Sequence, residues 1–168
     1  TNAFTKMKPM TSRYVLMLGE DGMVKDDGIV CKINDQHFIA TTTTGGAPKV
    51  LADMEEYAQT EWPHLNVYMN SVTEQFSTFN ISGPKSRAIM RKVFSEVDFS
   101  SETLPFMAFN TFNYLDTEIR IMRASFTGEL GYEIYVPPKY ALELWEKIFR
   151  NGKNLGLIPY GTETMHLL

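Results

Sequence analysis

The chain has 168 residues, 43% of them hydrophobic and 21% charged, which excludes a disordered or collagen-like protein. The lone Cys31 excludes an internally disulfide-stapled scaffold, and three scattered histidines (His37, His64 and His166) do not suggest a zinc cage. A net charge of −4 argues against a generic nucleic-acid binder, which needs a dense basic face, but leaves room for a local basic pocket.

The length suits one domain of ordinary size or two small interleaved ones. In chain order, residues 13–18 (RYVLML) read as a strand ending at Gly19, and Gly19–Gly22 as a turn in which Asp21 bonds locally. Residues 23–33 and 36–43 give two further strands divided by Asn34-Asp35, hence an antiparallel meander. Gly45-Gly46 ends it. A helix is expected over about 48–60, with Val50, Leu51, Met54, Tyr57 and Ala58 on its apolar face and Pro48 in its first turn. Residues 67–69 and 72–81 are strand-like. A second helix is expected over about 84–94, with Ile89, Met90, Val93 and Phe94 inward and Lys85, Arg87, Arg91 and Lys92 outward. Strands follow at 106–112, 119–126 and 132–136, and a last helix at about 140–150 with an apolar face of Leu142, Trp145, Ile148 and Phe149. The order predicts an α+β fold of largely antiparallel sheets covered by helices. No apolar run approaches the ~18 residues of a membrane span, and the first residues lack the apolar block of a signal peptide, so a cytoplasmic protein is expected. The absence of an initiator Met suggests a piece of a longer protein.

Three segments carry candidate chemistry. Asp26 and Asp27 are neighbours at a strand start, so their side chains point to opposite faces. One such carboxylate beside a pocket can accept an N–H from a ligand or stabilise a developing cation; the alternative is a hairpin flank with two solvated acids. Thr41-Thr42-Thr43-Thr44-Gly45-Gly46 offers hydroxyls, amides and close backbone approach. No Gly-Lys-Ser/Thr follows, so it is not a Walker phosphate loop, and a strand running into a helix cap accounts for it as well. In Thr127-Gly128-Glu129-Leu130-Gly131-Tyr132-Glu133, Glu133 stands inside an apolar strand. A buried carboxylate there would pair with a flat amidine-like ring edge, such as pterins carry; the alternative is an edge-strand acid pointing outward. His37 and His166 lack the neighbours of a catalytic triad. Phe106, Phe109, Phe112, Tyr114 and Phe126 supply core residues and, for a few, walls for a flat ring.

Taken in order, Tyr14 within RYVLMLGEDGMVKDDGIV, FIATTTTGG before a helix, NISGPKSR and SFTGELGYEIYVP resemble the aminomethyltransferase (glycine-cleavage T-protein) superfamily, over nearly the whole chain. Within it, the strings TTTTGGAPKVL, QTEWP, SVTEQ, PFMAF and PYGTETMHLL resemble the folate-binding half of the alpha subunits of heterotetrameric sarcosine oxidases. The resemblance implies a tetrahydrofolate-binding domain that receives the one-carbon unit of oxidised sarcosine and yields 5,10-methylenetetrahydrofolate and glycine. It implies partner subunits in a hetero-oligomer, with the flavin and NAD sites elsewhere in the complex.

By the same resemblance, Asp27 matches the acid that faces the folate, orienting its nitrogens and stabilising the cationic iminium, which leaves Asp26 solvated or supporting from behind. Glu133 matches the acid that binds the pterin's amino-pyrimidine edge, and Tyr14 a pocket tyrosine. Thr42 stands where the T-protein has an asparagine, Phe126 replaces a tyrosine, and Phe109 holds an aromatic position. An arginine and an acid expected beyond Leu168, the family's final barrel and the start of its first domain are not in these 168 residues. Residues 1–168 are therefore expected to be a partial folate-binding domain, inactive alone and without means of oxidising sarcosine itself. A T-protein-like or dimethylglycine dehydrogenase-like transferase, and a non-catalytic copy of the fold, are the alternative readings.

Overall fold

The computed structural model describes residues 3–165 and 167, and His166 lies outside the described residues. The chain forms two compact units, residues 1–74 and 75–168. The expected α+β architecture of antiparallel sheets with helices is what the chain adopts.

The first unit is a three-stranded antiparallel meander, β1 (Thr11–Leu18), β2 (Val24–Asn34) and β3 (His37–Ala40), followed by helix α1 (Ala47–Thr60). The β1–β2 turn closes as its residues dictate. Gly22 takes a positive φ of 79°, and the Met23 amide donates to Asp21 Oδ1 at 3.0 Å. At the β2–β3 turn the Gln36 amide donates to Asn34 Oδ1 at 2.9 Å. Helix α1 begins near Pro48 as expected, but none of its residues is buried. Val50, Leu51 and Ala58 are half-buried, while Met54 and Tyr57 are exposed. No strand forms at 67–69, and residues 73–75 are a short 3-10 turn (Thr73–Gln75) rather than the start of a strand.

The second unit is a four-stranded antiparallel sheet in the order β4-β7-β6-β5, from β4 (Ser77–Ser82), β5 (Phe109–Tyr114), β6 (Thr117–Met122) and β7 (Gly131–Val136). Helices α2 (Ser86–Val93) and α3 (Ala141–Gly152) contribute Ile89, Met90, Val93, Leu144 and Ile148 to a core shared with Ile81, Ile119, Ile121, Tyr132, Ile134 and Val136 of the sheet. The inward set expected for α2 is buried, although Arg87, expected outward, is half-buried against Tyr132. In α3 the stripe is displaced. Leu144 is fully buried, while Leu142 is 69% exposed and Trp145 is exposed as well. Ala141, Leu144 and Ile148 share the inward side at three- and four-residue spacing, and Leu142 falls outside it. The expected strand at 106–112 starts only at Phe109, with Phe106 exposed, and the expected 119–126 strand ends at Met122. The β5–β6 turn is Leu115-Asp116, with Leu115 at a positive φ of 53°. A short helix α4 (Thr162–Met165) closes the described chain.

Candidate functional site

In the first unit the pairing register puts Leu16 opposite Asp27 and Tyr14 opposite Ile29. Tyr14 and Asp27 are therefore diagonal neighbours on one face of the sheet. The Tyr14 hydroxyl donates to Asp27 Oδ2 at 2.6 Å. This bond, with desolvation and the Asp27 charge adding to it, pushes the Tyr14 phenol above its ordinary pKa and keeps it a donor at neutral pH. Among the described residues nothing donates to Asp27 Oδ1.

Of the two readings for Asp26, the solvated one is excluded: it is 7% exposed, on the opposite face from Asp27. Its Oδ1 accepts the amides of Asp27 at 2.8 Å and Thr43 at 3.1 Å, and its Oδ2 accepts the Thr43 hydroxyl at 2.9 Å. The Thr43 amide bond leads the effects that hold its carboxyl below the ordinary carboxylate range, against the opposing pull of burial. A Cβ added at Gly46 would lie 1.8 Å from Asp26 Oδ2, so glycine is required where the loop closes on the acid.

The threonine run is consumed by this architecture. Thr41 Oγ1 accepts the Ile29 amide at 3.1 Å, and Thr43 is bound to Asp26. The Thr42 hydroxyl donates to the Thr43 carbonyl at 2.9 Å, and no hydrogen bond joins Thr42 to Tyr14 or Asp27 among the described residues.

In the second unit Glu133 lies on β7, an internal strand, so the edge-strand alternative is excluded. Tyr132, Ile134 and Val136 face the core, and Glu133 and Tyr135 face the other side, half-buried. The Tyr135 hydroxyl donates to Glu133 Oε2 at 2.5 Å. Among the described residues nothing donates to Oε1. The register sets Asn80 opposite Glu133, Glu133 opposite Met122 and Met122 opposite Phe109. One row across all four strands thus carries an amide, an acid, a thioether and a ring on the same face. Asn80 Oδ1 accepts the hydroxyls of Ser82 at 2.6 Å and Tyr160 at 3.1 Å, which commits its oxygen and fixes the orientation of its amide.

The segment leading into Glu133 is anchored at both sides. The Leu130 carbonyl accepts the Gly83 amide at 2.9 Å and the Ser86 hydroxyl at 2.8 Å. A Cβ on Gly131 would meet the Ala124 carbonyl at 2.6 Å. Phe126, by contrast, sits in the loop after β6 and is 64% exposed, so the row does not include it.

The structure therefore joins Tyr14 to Asp27 in one unit, and sets Glu133 in the same row as Phe109 in the other. Tyr135 and Asn80 were missed from the sequence. Tyr135 was within reach, two residues from Glu133 on the same strand face; Asn80 needs the cross-strand register. His37 and His64 are exposed, and His166 lies outside the described residues. Among the described residues no group of three acids, histidines or cysteines could hold a metal, and no helix is long and apolar enough to cross a membrane.

Comparison with known proteins gives the family. The family model described as "GCVT N-terminal domain" matches residues 1–168. The chain is 45% identical over its whole length to the sarcosine oxidase subunit alpha of Corynebacterium sp. (strain U-96), covering 18% of that protein. It is 33% identical over 96% of its length to the aminomethyltransferase of Thermoanaerobacter pseudethanolicus, covering 42% of it. The solved glycine cleavage system aminomethyltransferase T from Bartonella henselae superposes with a TM-score of 0.70 at 26% identity, over 86% of this chain and 36% of that one. The chain thus spans under half the length of these relatives, and on the family match over all its residues it belongs to the GCVT N-terminal domain family of aminomethyltransferase-like proteins.

Proposed function

We propose that this chain is the tetrahydrofolate-binding, one-carbon-transfer part of a sarcosine oxidase alpha subunit. The observation that carries the reading is Glu133. It is a carboxylate in mid-sheet, turned away from the core, with one oxygen held by Tyr135 and the other open. A carboxylate so held is an acceptor, and it suits the donor edge of an amino-pyrimidine ring. Met122 and Phe109, on the same row, are fully buried and form an apolar backing beside the acid. The open carboxylate edge of Glu133 is what fits a reduced pterin.

Tetrahydrofolate, when bound, supplies the nitrogens that take up the one-carbon unit. Tyr135 keeps the Glu133 carboxylate aimed. Asp27, held by Tyr14, is assigned the cationic charge that develops during transfer, on its resemblance to the family's acid. Fixed carboxylates reorganise little during reaction, which is where such sites gain most of their effect. The products would be 5,10-methylenetetrahydrofolate and glycine, with sarcosine oxidised at a flavin held elsewhere in a hetero-oligomer and NAD bound outside this chain. The 45% identity to a sarcosine oxidase subunit alpha supports that reading over a T-protein.

The test is calorimetric titration of the full-length protein with tetrahydrofolate. Glu133→Ala is expected to weaken binding at least ~tenfold. Unchanged affinity in that variant removes the pterin assignment. Formation of methylenetetrahydrofolate from a carrier-bound aminomethyl group derived from glycine, with no response to sarcosine, would favour a T-protein-like transferase instead.

A further inference from the structure

Two arginines of the second unit converge on one serine. From α2, Arg87 donates through Nε to the Tyr132 hydroxyl at 3.2 Å and through Nη2 to Ser101 Oγ at 3.1 Å. From the segment after β6, Arg123 donates through Nη1 to the same Ser101 Oγ at 3.3 Å and to the Leu104 carbonyl at 3.0 Å. Ser101 itself is exposed. Neither arginine has a carboxylate within ion-pair distance among the described residues. Glu102, next to Ser101, is exposed and makes no ion pair among the described residues, and Asp98 is occupied by the hydroxyls of Ser100 at 2.7 Å and Thr103 at 2.6 Å. Arg123 Nε is buried and meets no acceptor.

Two like charges sharing one neutral acceptor repel each other, and no carboxylate is ion-paired to either among the described residues. Guanidinium groups supply fixed forks of N–H donors, and the central hydroxyl can turn to donate as well. The arrangement presents donors from two elements toward one point. A planar carboxylate is satisfied by a single guanidinium fork, whereas a tetrahedral oxyanion accepts from several directions. We propose that Arg87, Ser101 and Arg123 form a binding site for a tetrahedral oxyanion of the phosphate or sulfate class. The site is separate from the Glu133 row and does not depend on the folate reading.

The experiment is calorimetric and thermal titration of the full-length protein with inorganic phosphate, with chloride holding ionic strength constant. A saturable component of the heat and of the Tm rise is expected. Arg87→Gln and Arg123→Gln are each expected to weaken that component ~tenfold or more, and sulfate to compete for it. Ser101→Asp tethers a carboxylate between the guanidinium groups, so it is expected to raise Tm without phosphate and to abolish the further rise with it. Should Arg123→Gln fail to fold, Arg87→Gln and Ser101→Asp decide. A parent protein without a saturable response, or variants that keep the whole of it, overturns the site.

Discussion

Tyr14 on β1 and Asp27 on β2 are joined across a sheet diagonal by a 2.6 Å hydrogen bond that leaves one carboxylate oxygen open. The bond aims the acid rather than neutralising it, because the phenol stays protonated. Tyr14→Phe is expected to lower the folate-dependent kcat of the full-length enzyme by roughly ten- to a hundredfold, the worth of one hydrogen bond to a charged group. Asp27→Asn is expected to cost at least as much. The check is methylenetetrahydrofolate formation under saturating substrate. Parent-like kcat in both variants separates Asp27 from the chemistry.

Tyr135 and Glu133 form the corresponding pair in the second unit. Glu133→Gln keeps the shape but replaces an acceptor oxygen by a donor amide. It is expected to weaken tetrahydrofolate binding by about 1.5–3 kcal/mol, and Tyr135→Phe by less, since it loosens the acid without removing it. Calorimetric Kd values for the two variants test the ranking. A larger loss in Tyr135→Phe than in Glu133→Gln would assign the ligand contact to the tyrosine.

Asp26 ties the Thr43 loop to β2 through its buried carboxylate. Its carboxyl titrates below the ordinary value in the folded protein, so its stabilisation is present above the unfolded pKa of about 3.9 and is lost as pH falls through the lower folded value. Asp26→Asn is expected to reduce stability at neutral pH and to flatten that acid dependence. Gly46→Ala drives a methyl group into the same carboxylate and is expected to destabilise by at least ~1 kcal/mol. Thermal unfolding of both variants between pH 3 and 7, a window of ~4 units around the carboxylate range, is the measurement.

Asp98 gives a second acid-sensitive point, in the other unit. Hydroxyl donors from Thr103 and Ser100, with the Ser100 amide, hold its pKa down to about 2. Its share of stability is fully present above the unfolded value near ~3.9 and disappears as pH drops toward the folded one. Asp98→Asn is expected to make the 98–103 turn insensitive to pH across that interval, read from the Asp98-region amide shifts by NMR. A pH response unchanged by the substitution would sink the assignment.

The elements legible in the sequence are those whose pattern is local. The β1–β2–β3 meander, α2 and β7 follow from turn residues and from periods of two and 3.6 residues. The β5–β6 hairpin was misplaced because its turn is made by Leu115-Asp116, with a leucine in the left-handed region, rather than by glycine or asparagine. Leu142 fits the α3 stripe by sequence because apolar character does not say which of two overlapping stripes meets the sheet. Leu144→Ala is accordingly expected to cost about 2–5 kcal/mol and Leu142→Ser within about 0.5 kcal/mol, by denaturant unfolding. For the site, Asp27, Tyr14 and Glu133 were visible as residue types in context. Asn80 was not, because its place beside Glu133 is set by strand register between residues more than fifty positions apart.

The Thr43 amide gives its proton to a shielded carboxylate, though it lies in a loop beyond the last rung of the sheet. Loop amides ordinarily trade their hydrogen for deuterium in seconds, and this one is expected to follow the opening of β2 instead. The stretch between β3 and α1 therefore keeps the sheet's clock, and its opening reports the unfolding of the meander rather than local fluctuation.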